Sequence, residues 1–132
     1  MSLHRRVAAA YAVILLGAAG LNYVPGITDE EERAFGVFAL DIFDDLLHLA
    51  SALWAGVSAA WSARASRSFL GIFGALYLAD GLMGLAFGSG YLDLGIINNG
   101  VLDLPLTFRA LANLPHILLG GLALASLRVG AR

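Results

Sequence analysis

Four apolar stretches recur along the chain, each almost free of charge. The first runs from Val7 to Tyr23 and ends at Pro25-Gly26. The second runs from Leu46 to Ala63 and carries His48; an apolar patch, Ala34 to Leu40, precedes it. The third runs from Ser68 to Leu92, interrupted by Asp80, and the fourth from Ala110 to Leu127, carrying His116. Each approaches the 17–25 residues that cross a hydrocarbon core of about 30 Å. Lipid cannot satisfy backbone polar groups, so such spans are helices or closed barrels, and the alternation of a barrel strand is missing here. The pattern predicts an all-α integral membrane four-helix bundle, one transmembrane domain over 1–132, with helices at about 6–24, 35–63, 68–91 and 105–128.

Polar residues punctuate these spans. Thr28-Asp-Glu-Glu31 reads as a capping box with acids in the first turn, which predicts a short amphipathic lead-in helix at about 29–40. Asn98-Asn99-Gly100 reads as a turn, and Pro105 stands where a helix begins. Pro115 removes an amide that would bond Leu111, so the fourth helix is expected to bend.

Composition supports a lipid exterior. The 132 residues are 59% hydrophobic and 14% charged, with mean hydropathy +0.79. A soluble domain has about 45–50% apolar and about 25% charged residues. A chain this short cannot hide the excess in a core. Arginine sets the orientation. Arg5, Arg6, Arg64, Arg67, Arg128 and Arg132 flank one side of the spans, while Asp29, Glu30, Glu31, Glu32, Asp93 and Asp103 occupy the other two connections. The positive-inside rule then puts both termini and the central loop in the cytoplasm. All eight bases are arginine, which suggests a GC-rich bacterial genome and hence the bacterial inner membrane. His4, Arg5 and Arg6 before an apolar run, with Ala18-Ala19-Gly20 after it, also fit a cleaved signal peptide. The first stretch has a partner later in the chain, which favours its retention.

That partner emerges when the chain is shifted by 68 residues. Gly20 falls on Gly88, Tyr23 on Tyr91, Leu46 on Leu114, His48 on His116 and Ala55 on Ala123. Asp45 meets Asn113 and Asp41 meets Arg109. This reads either as a parallel repeat of two helix pairs about an axis along the membrane normal or as a chance match of small residues.

Chemistry concentrates on two faces. Asp41, Asp45 and His48 share a face of the second helix at spacing i, i+4, i+7, with Asp44 beside them and Ala52 and Ala55 below. Arg109, Asn113, His116, Gly120 and Ala123 form the matching face of the fourth. Small residues permit close approach, and polar ones need partners away from lipid. Asp80, near the centre of the third span, is expected to face the bundle interior or to be protonated. The bland alternatives are Asp45-x-x-His48 and Asn113-x-x-His116 as structural pairs, an Asp41–Arg109 salt bridge at the rim, and Tyr11, Trp54, Trp61 and Tyr77 as packing or interface residues.

Three functions fit these residues. Asp41, Asp44, Asp45, His48, Asp80, Arg109, Asn113 and His116 would bind or conduct a cation, proton or small polar ligand at the repeat interface, with His48, His116, Asp45 and Asp80 as ligands if the cation is a divalent metal. Alternatively His48 and His116 would be axial ligands of one haem b; a di-iron centre is disfavoured, because the first helix offers no acid. The third reading is a structural accessory subunit of a larger membrane complex, or a homo-oligomer, whose partner is otherwise the lipid bilayer. No cysteine is present, so thiolate chemistry is excluded. No basic stripe or phosphate loop supports nucleic-acid or nucleotide binding. Ser51 lies one turn from His48 without an oxyanion device, so an enzyme is not indicated.

The segments Asp45-Leu-Leu-His48-Leu and Asn113-Leu-Pro-His116-Ile-Leu-Leu-Gly120 carry a family resemblance. Set in a four-span chain with arginines inside, they resemble the bacterial membrane family catalogued as domain of unknown function 4383, loosely DoxX-like. The resemblance covers the chain from the first helix to the fourth. It implies that fold and membrane location and brings no activity. Asp45 stands where the family pattern has Asn, and Asp80 is an addition to it.

Overall fold

A computed structural model of the chain describes residues 1–27, 33–34, 38–39 and 42–129. Among them are four long helices and one short one: α1 (Leu3–Gly20), α2 (Ile42–Trp61), α3 (Ala63–Phe87), α4 (Gly95–Asn99) and α5 (Leu106–Val129). Two of the long helices, α3 and α5, are long and apolar enough to cross a membrane, with mean hydropathies of 1.7 and 1.6.

Local chemistry sets the helix ends. Ser2 caps α1, its hydroxyl accepting the Arg5 amide at 3.3 Å. Ser62 alone joins α2 to α3; its backbone is extended and its hydroxyl accepts the Ala65 amide at 3.0 Å. Arg64 and Arg67 therefore belong to the first turns of α3 rather than to a loop. Gly88, left-handed at φ 82°, ends α3 four residues short of the expected 91. Asn98 and Asn99, expected as a turn, close the short α4, and Gly100 follows with φ 67°. α5 continues through Pro115. In the stretch expected as a lead-in helix, Arg33–Ala34 and Phe38–Ala39 pair instead as antiparallel strands β1 and β2, with Arg33 opposite Ala39. The rest of that stretch, the capping box at 28–31 and Asp41 lie outside the described residues.

The long helices pack most closely as two antiparallel hairpins, α1 with α2 and α3 with α5. Side-chain caps fix the hairpin ends. Arg5 on α1 donates from Nε to Ala59 O at 2.7 Å and from Nη2 to Ala60 O at 3.0 Å. Those carbonyls belong to the last turn of α2, which has no helical amides left to bond them and is the negative end of its dipole. Arg109 on α5 does the same for α3, donating from Nη1 to Leu85 O and Ala86 O, both at 3.2 Å. Replacing Arg5 by Met keeps the aliphatic packing but strips the α2 cap. Chemical denaturation in micelles should register a loss of about 1 kcal/mol; an unchanged midpoint would show that water replaces the guanidinium at no cost.

An aromatic ladder along α3 fills the centre. Phe69 and Phe73 lie 4.9 Å apart and Phe73 stacks on Tyr77 at 3.9 Å, with Tyr11 and Trp54 edge-on to the ladder. Trp61, by contrast, is 79% exposed. Leu15 and Leu70 are fully buried beside the ladder, and small and polar residues fill much of the remaining interior, among them Ala8, Ala55, Ser58, Ser66 and Ala123. Leu16, Leu53, Val57 and Leu122 point outward.

Candidate functional site

Asp80 is the junction of three elements. It lies two turns before the end of α3, and the left-handed Gly88 folds the chain back over it. Gly90 passes so close that a Cβ there would strike the Asp80 carboxylate, so only glycine lets the backbone settle on it. The next two amides then point at the acid: Tyr91 N and Leu92 N donate to Asp80 Oδ1 at 2.9 and 3.0 Å. The Tyr91 hydroxyl reaches further back and donates to Leu76 O at 2.8 Å. Burial, and after it the Asp80 charge, push the Tyr91 phenol upward, which preserves that hydroxyl donor.

The second carboxylate oxygen faces α5. Asp80 Oδ2 lies 2.5 Å from His116 Nδ1. A carboxylate accepts, so the imidazole donates from Nδ1 and is left with Nε2 for another partner. Tyr77 packs its ring against His116 at 4.8 Å and shares a hydrogen bond of 3.0 Å with Ser51.

His48, on α2, meets His116 across the bundle. The ring centroids are 5.8 Å apart and nearly perpendicular. His48 is buried, and its Nδ1 has no hydrogen-bond partner. The carboxylates of Asp45, Asp80 and Asp93 are the acids that act on it. Asp93 is held in the turn after α3, where its Oδ1 accepts the Gly95 amide at 2.9 Å.

The residues singled out in the sequence are distributed unevenly. His48, Asp80 and His116 come together. Asp80 and His116 join directly, although neither polar pattern in the sequence links them. Asn113 does not pair with His116; its Nδ2 donates to Arg109 O at 2.8 Å, and its side chain packs over Gly84. Asp45 turns to Tyr23, whose hydroxyl donates to Oδ2 at 3.3 Å, while Oδ1 is buried without a partner. Asp44 is buried on α2 and has contacts of its own. Arg109 serves as the α3 cap described above. Asp80 is not at the centre of its helix but seven residues from its end, because α3 starts and stops earlier than its apolar run suggests.

Among the described residues, no three or more His, Asp or Glu side chains form a group able to hold a metal ion. The set His48, His116, Asp45 and Asp80 thus does not converge on one point. The edge-to-face contact of the two imidazoles likewise leaves no slot for a porphyrin plane between them. Sequence reasoning named Tyr77 as a packing residue and Ser51 as a neighbour of His48 without joining them to the site, and it missed the Tyr91 and Leu92 amides. The Gly88-Ser-Gly90 run was the available signal for the last two, since it marks a sharp reversal just after an acid.

No family model, curated protein or solved structure matches the chain. The likeness to the family of unknown function rests on its two histidine motifs alone.

Proposed function

We propose that the chain is a small multi-pass protein of the bacterial inner membrane, in which His48, Asp80 and His116 form a buried site that binds or conducts a proton, another small cation or a small polar ligand. The observation that carries this reading is the pairing of an oriented imidazole with an orphaned one. His116 is fixed by Asp80, which is itself fixed by two backbone amides. His48 Nδ1, one ring away, is buried with nothing to bond. Leaving such an atom unsatisfied costs about 1–3 kcal/mol, a cost that a bound partner removes. The Asp80 carboxylate, bonded to His116 Nδ1, leaves the His116 Nε2 and the His48 Nδ1 as the ring atoms open to such a partner.

A lipid exterior for all four long helices is supported by several facts. Only 11% of the apolar window of α5 is buried, the opposite of a soluble core helix. Apolar side chains face out, while His48, Ser51, Ser58, Ser66 and Asp80 face in. The hairpins gather Arg5, Arg6, Arg64, Arg67 and Arg128 at one end, as the positive-inside rule asks of a cytoplasmic side. The 68-residue shift also carries the last residue of α2, Trp61, onto the last of α5, Val129, which favours two repeated hairpins.

The test is a thermal-shift series on purified protein in detergent, varying proton activity, monovalent and divalent chlorides and small polar ligands. A ligand that binds only the folded state raises the melting temperature by mass action. At least one condition should stabilise the wild type and leave a His48→Ala/His116→Ala double variant unmoved. Parallel profiles for the two proteins across the whole series would overturn the reading.

A further inference from the structure

An apolar layer separates the histidine site from the arginine end of the bundle, and every long helix contributes to it. Phe69, Leu70 and Phe73 of α3, Ala55 of α2 and Ala123 of α5 are at most 1% exposed. Tyr11 of α1 sets its ring edge-on against both phenylalanines, at 6.2 and 5.3 Å. Two links between α2 and α3 bracket the layer. On the histidine side Ser51 meets Tyr77 at 3.0 Å, and on the arginine side the Ser66 hydroxyl donates to Ser58 O at 3.0 Å. Ala55 lies between those links along α2, and Phe69 and Phe73 lie between them along α3.

The polar groups on the two sides do not reach each other. At about 1.5 Å per residue, Ser51 to Ser58 spans about 10 Å of α2, and Tyr77 to Ser66 about 16 Å of α3. A hydrogen-bonded chain advances about 2.8 Å per link, so a crossing needs several polar groups inside the layer. The side chains there are alanine, leucine and phenylalanine. The Tyr11 hydroxyl beside them is committed to Leu119 O. Hydroxyls nearer the arginine end are also engaged: Ser66 donates to Ser58 O and Ser62 O, and Ser126 to Ala123 O. A hydrophobic constriction of this kind excludes water and leaves an ion without solvation. The opposite approach is shorter. Asp80 lies about 10 Å from the Phe87 end of α3 and about 26 Å from its start among the arginines. The His116 side chain keeps 18% exposure.

We infer that the histidine site is a one-sided receptor: its partner enters and leaves at the end where residues 88–94 turn, and the aromatic layer stops it from crossing to the arginine end. Of the two activities proposed above, this selects binding over conduction. The inference rests on that reading of the site and the membrane, and it adds the side from which the partner comes, the non-cytoplasmic one by the positive-inside rule.

Thiol access tests it, because the chain has no cysteine of its own. Ser51→Cys puts a thiol beside Tyr77 at the site, and Ser2→Cys puts one at the exposed arginine end. Each full-length variant, in spheroplasts and in inverted membrane vesicles, is treated with silver ion, a small thiol-seeking cation. Thiols left free are then counted with maleimide after denaturation. The Ser51→Cys thiol should react about ten-fold faster or more in the preparation that protects Ser2→Cys. Faster reaction from the arginine end, equal rates from both ends, or no reaction from either overturns the inference. Adding Phe73→Ser, which puts a hydroxyl in the layer, should admit the ion from both ends; an unchanged contrast would show that the layer is not the seal. Should that variant fail to insert, the wild type decides. In liposomes under a potassium diffusion potential, with a trapped pH dye, its proton leak should match that of empty liposomes. A faster leak that His48→Ala/His116→Ala abolishes is conduction through the site and overturns the inference. The two readings fail separately: a featureless thermal-shift series removes the ligand site and leaves the Ser51→Cys contrast, while conduction through the histidines removes the seal and leaves the ligand shift.

Discussion

Asp80→Ala should destabilise the protein by about 3–5 kcal/mol, because it strips a buried carboxylate from three donors at once. The Tyr91 and Leu92 amides lose their acceptor, and His116 Nδ1 loses the oxygen that orients it. The turn after α3 would keep the Tyr91 hydroxyl bond to Leu76 O, the Gly95 amide bond to Asp93, the Leu102 amide bond to Phe87 O and the backbone bonds within the turn. Asp80→Asn separates the two jobs of the side chain. The amide oxygen of Asn still accepts both backbone amides, so the turn stays docked and the loss falls to about 1–2 kcal/mol. The amide nitrogen, however, is a donor facing His116 Nδ1. The imidazole must then accept at Nδ1 and carry its hydrogen on Nε2, the reverse of the wild-type arrangement. Denaturation midpoints would read the first effect, and ¹⁵N NMR of histidine-labelled protein the second. Any ligand bound through a free Nε2 would be lost in Asp80→Asn although the fold survives. An Asp80→Ala protein that melts with the wild type would show that the carboxylate holds nothing together, and an unchanged His116 tautomer in Asp80→Asn would remove its orienting role.

That junction shows where sequence reading stops. Asp80 and His116 are each visible as isolated polar residues, because a lone acid or imidazole is conspicuous in an apolar run. Their partnership is not visible, since it joins two helices across 36 positions and depends on how α3 and α5 cross. The Tyr91 and Leu92 amides are harder still, because every residue but proline has one and only the Gly88 reversal aims these two. Asn113 misleads for a different reason: a short polar side chain on a helix can be satisfied by the carbonyl one turn back, and Arg109 O does that here. Boundaries shift for a related cause. Charge ends a hydropathy run but not a helix, so Arg64 and Arg67 continue the α3 ladder while interrupting its apolar pattern. At Arg33–Ala34 and Phe38–Ala39, strand pairing wins over the helix that the acidic cap predicts. The apolar runs themselves translate directly into long helices, because their period and length are local properties.

The α3–α5 crossing carries the second large effect. Gly120 faces Gly74 and Leu78 with no side chain between the two backbones. A Cβ at 120 would meet Leu78 N, lie 2.7 Å from Gly74 O and 2.8 Å from Leu78 Cα. A Cβ at Gly74 would in turn lie 3.0 Å from Gly120 O. These neighbours are main-chain atoms in helices and cannot rotate aside. On the proposed membrane reading, α3 and α5 associate through close van der Waals contact rather than water expulsion, so the small residues at the crossing carry much of it. Gly120→Leu should therefore force α5 away from α3 and cost more than about 3 kcal/mol. His116, one turn up the same helix, moves with it and leaves Asp80. Gly121 supplies the control, since a Cβ there meets nothing within 4 Å. Gly121→Leu adds the same bulk and the same helix propensity one position along, and should change stability by about 0.5 kcal/mol or less. Thermal melts in one detergent, read beside the ¹⁵N signal of His116, would separate the pair: Gly120→Leu melts early and loses the Asp80-bound imidazole, while Gly121→Leu keeps both. Equal melts for the two variants would mean that the helices do not approach through Gly120, and the geometry that brings His116 to Asp80 would fall with that contact.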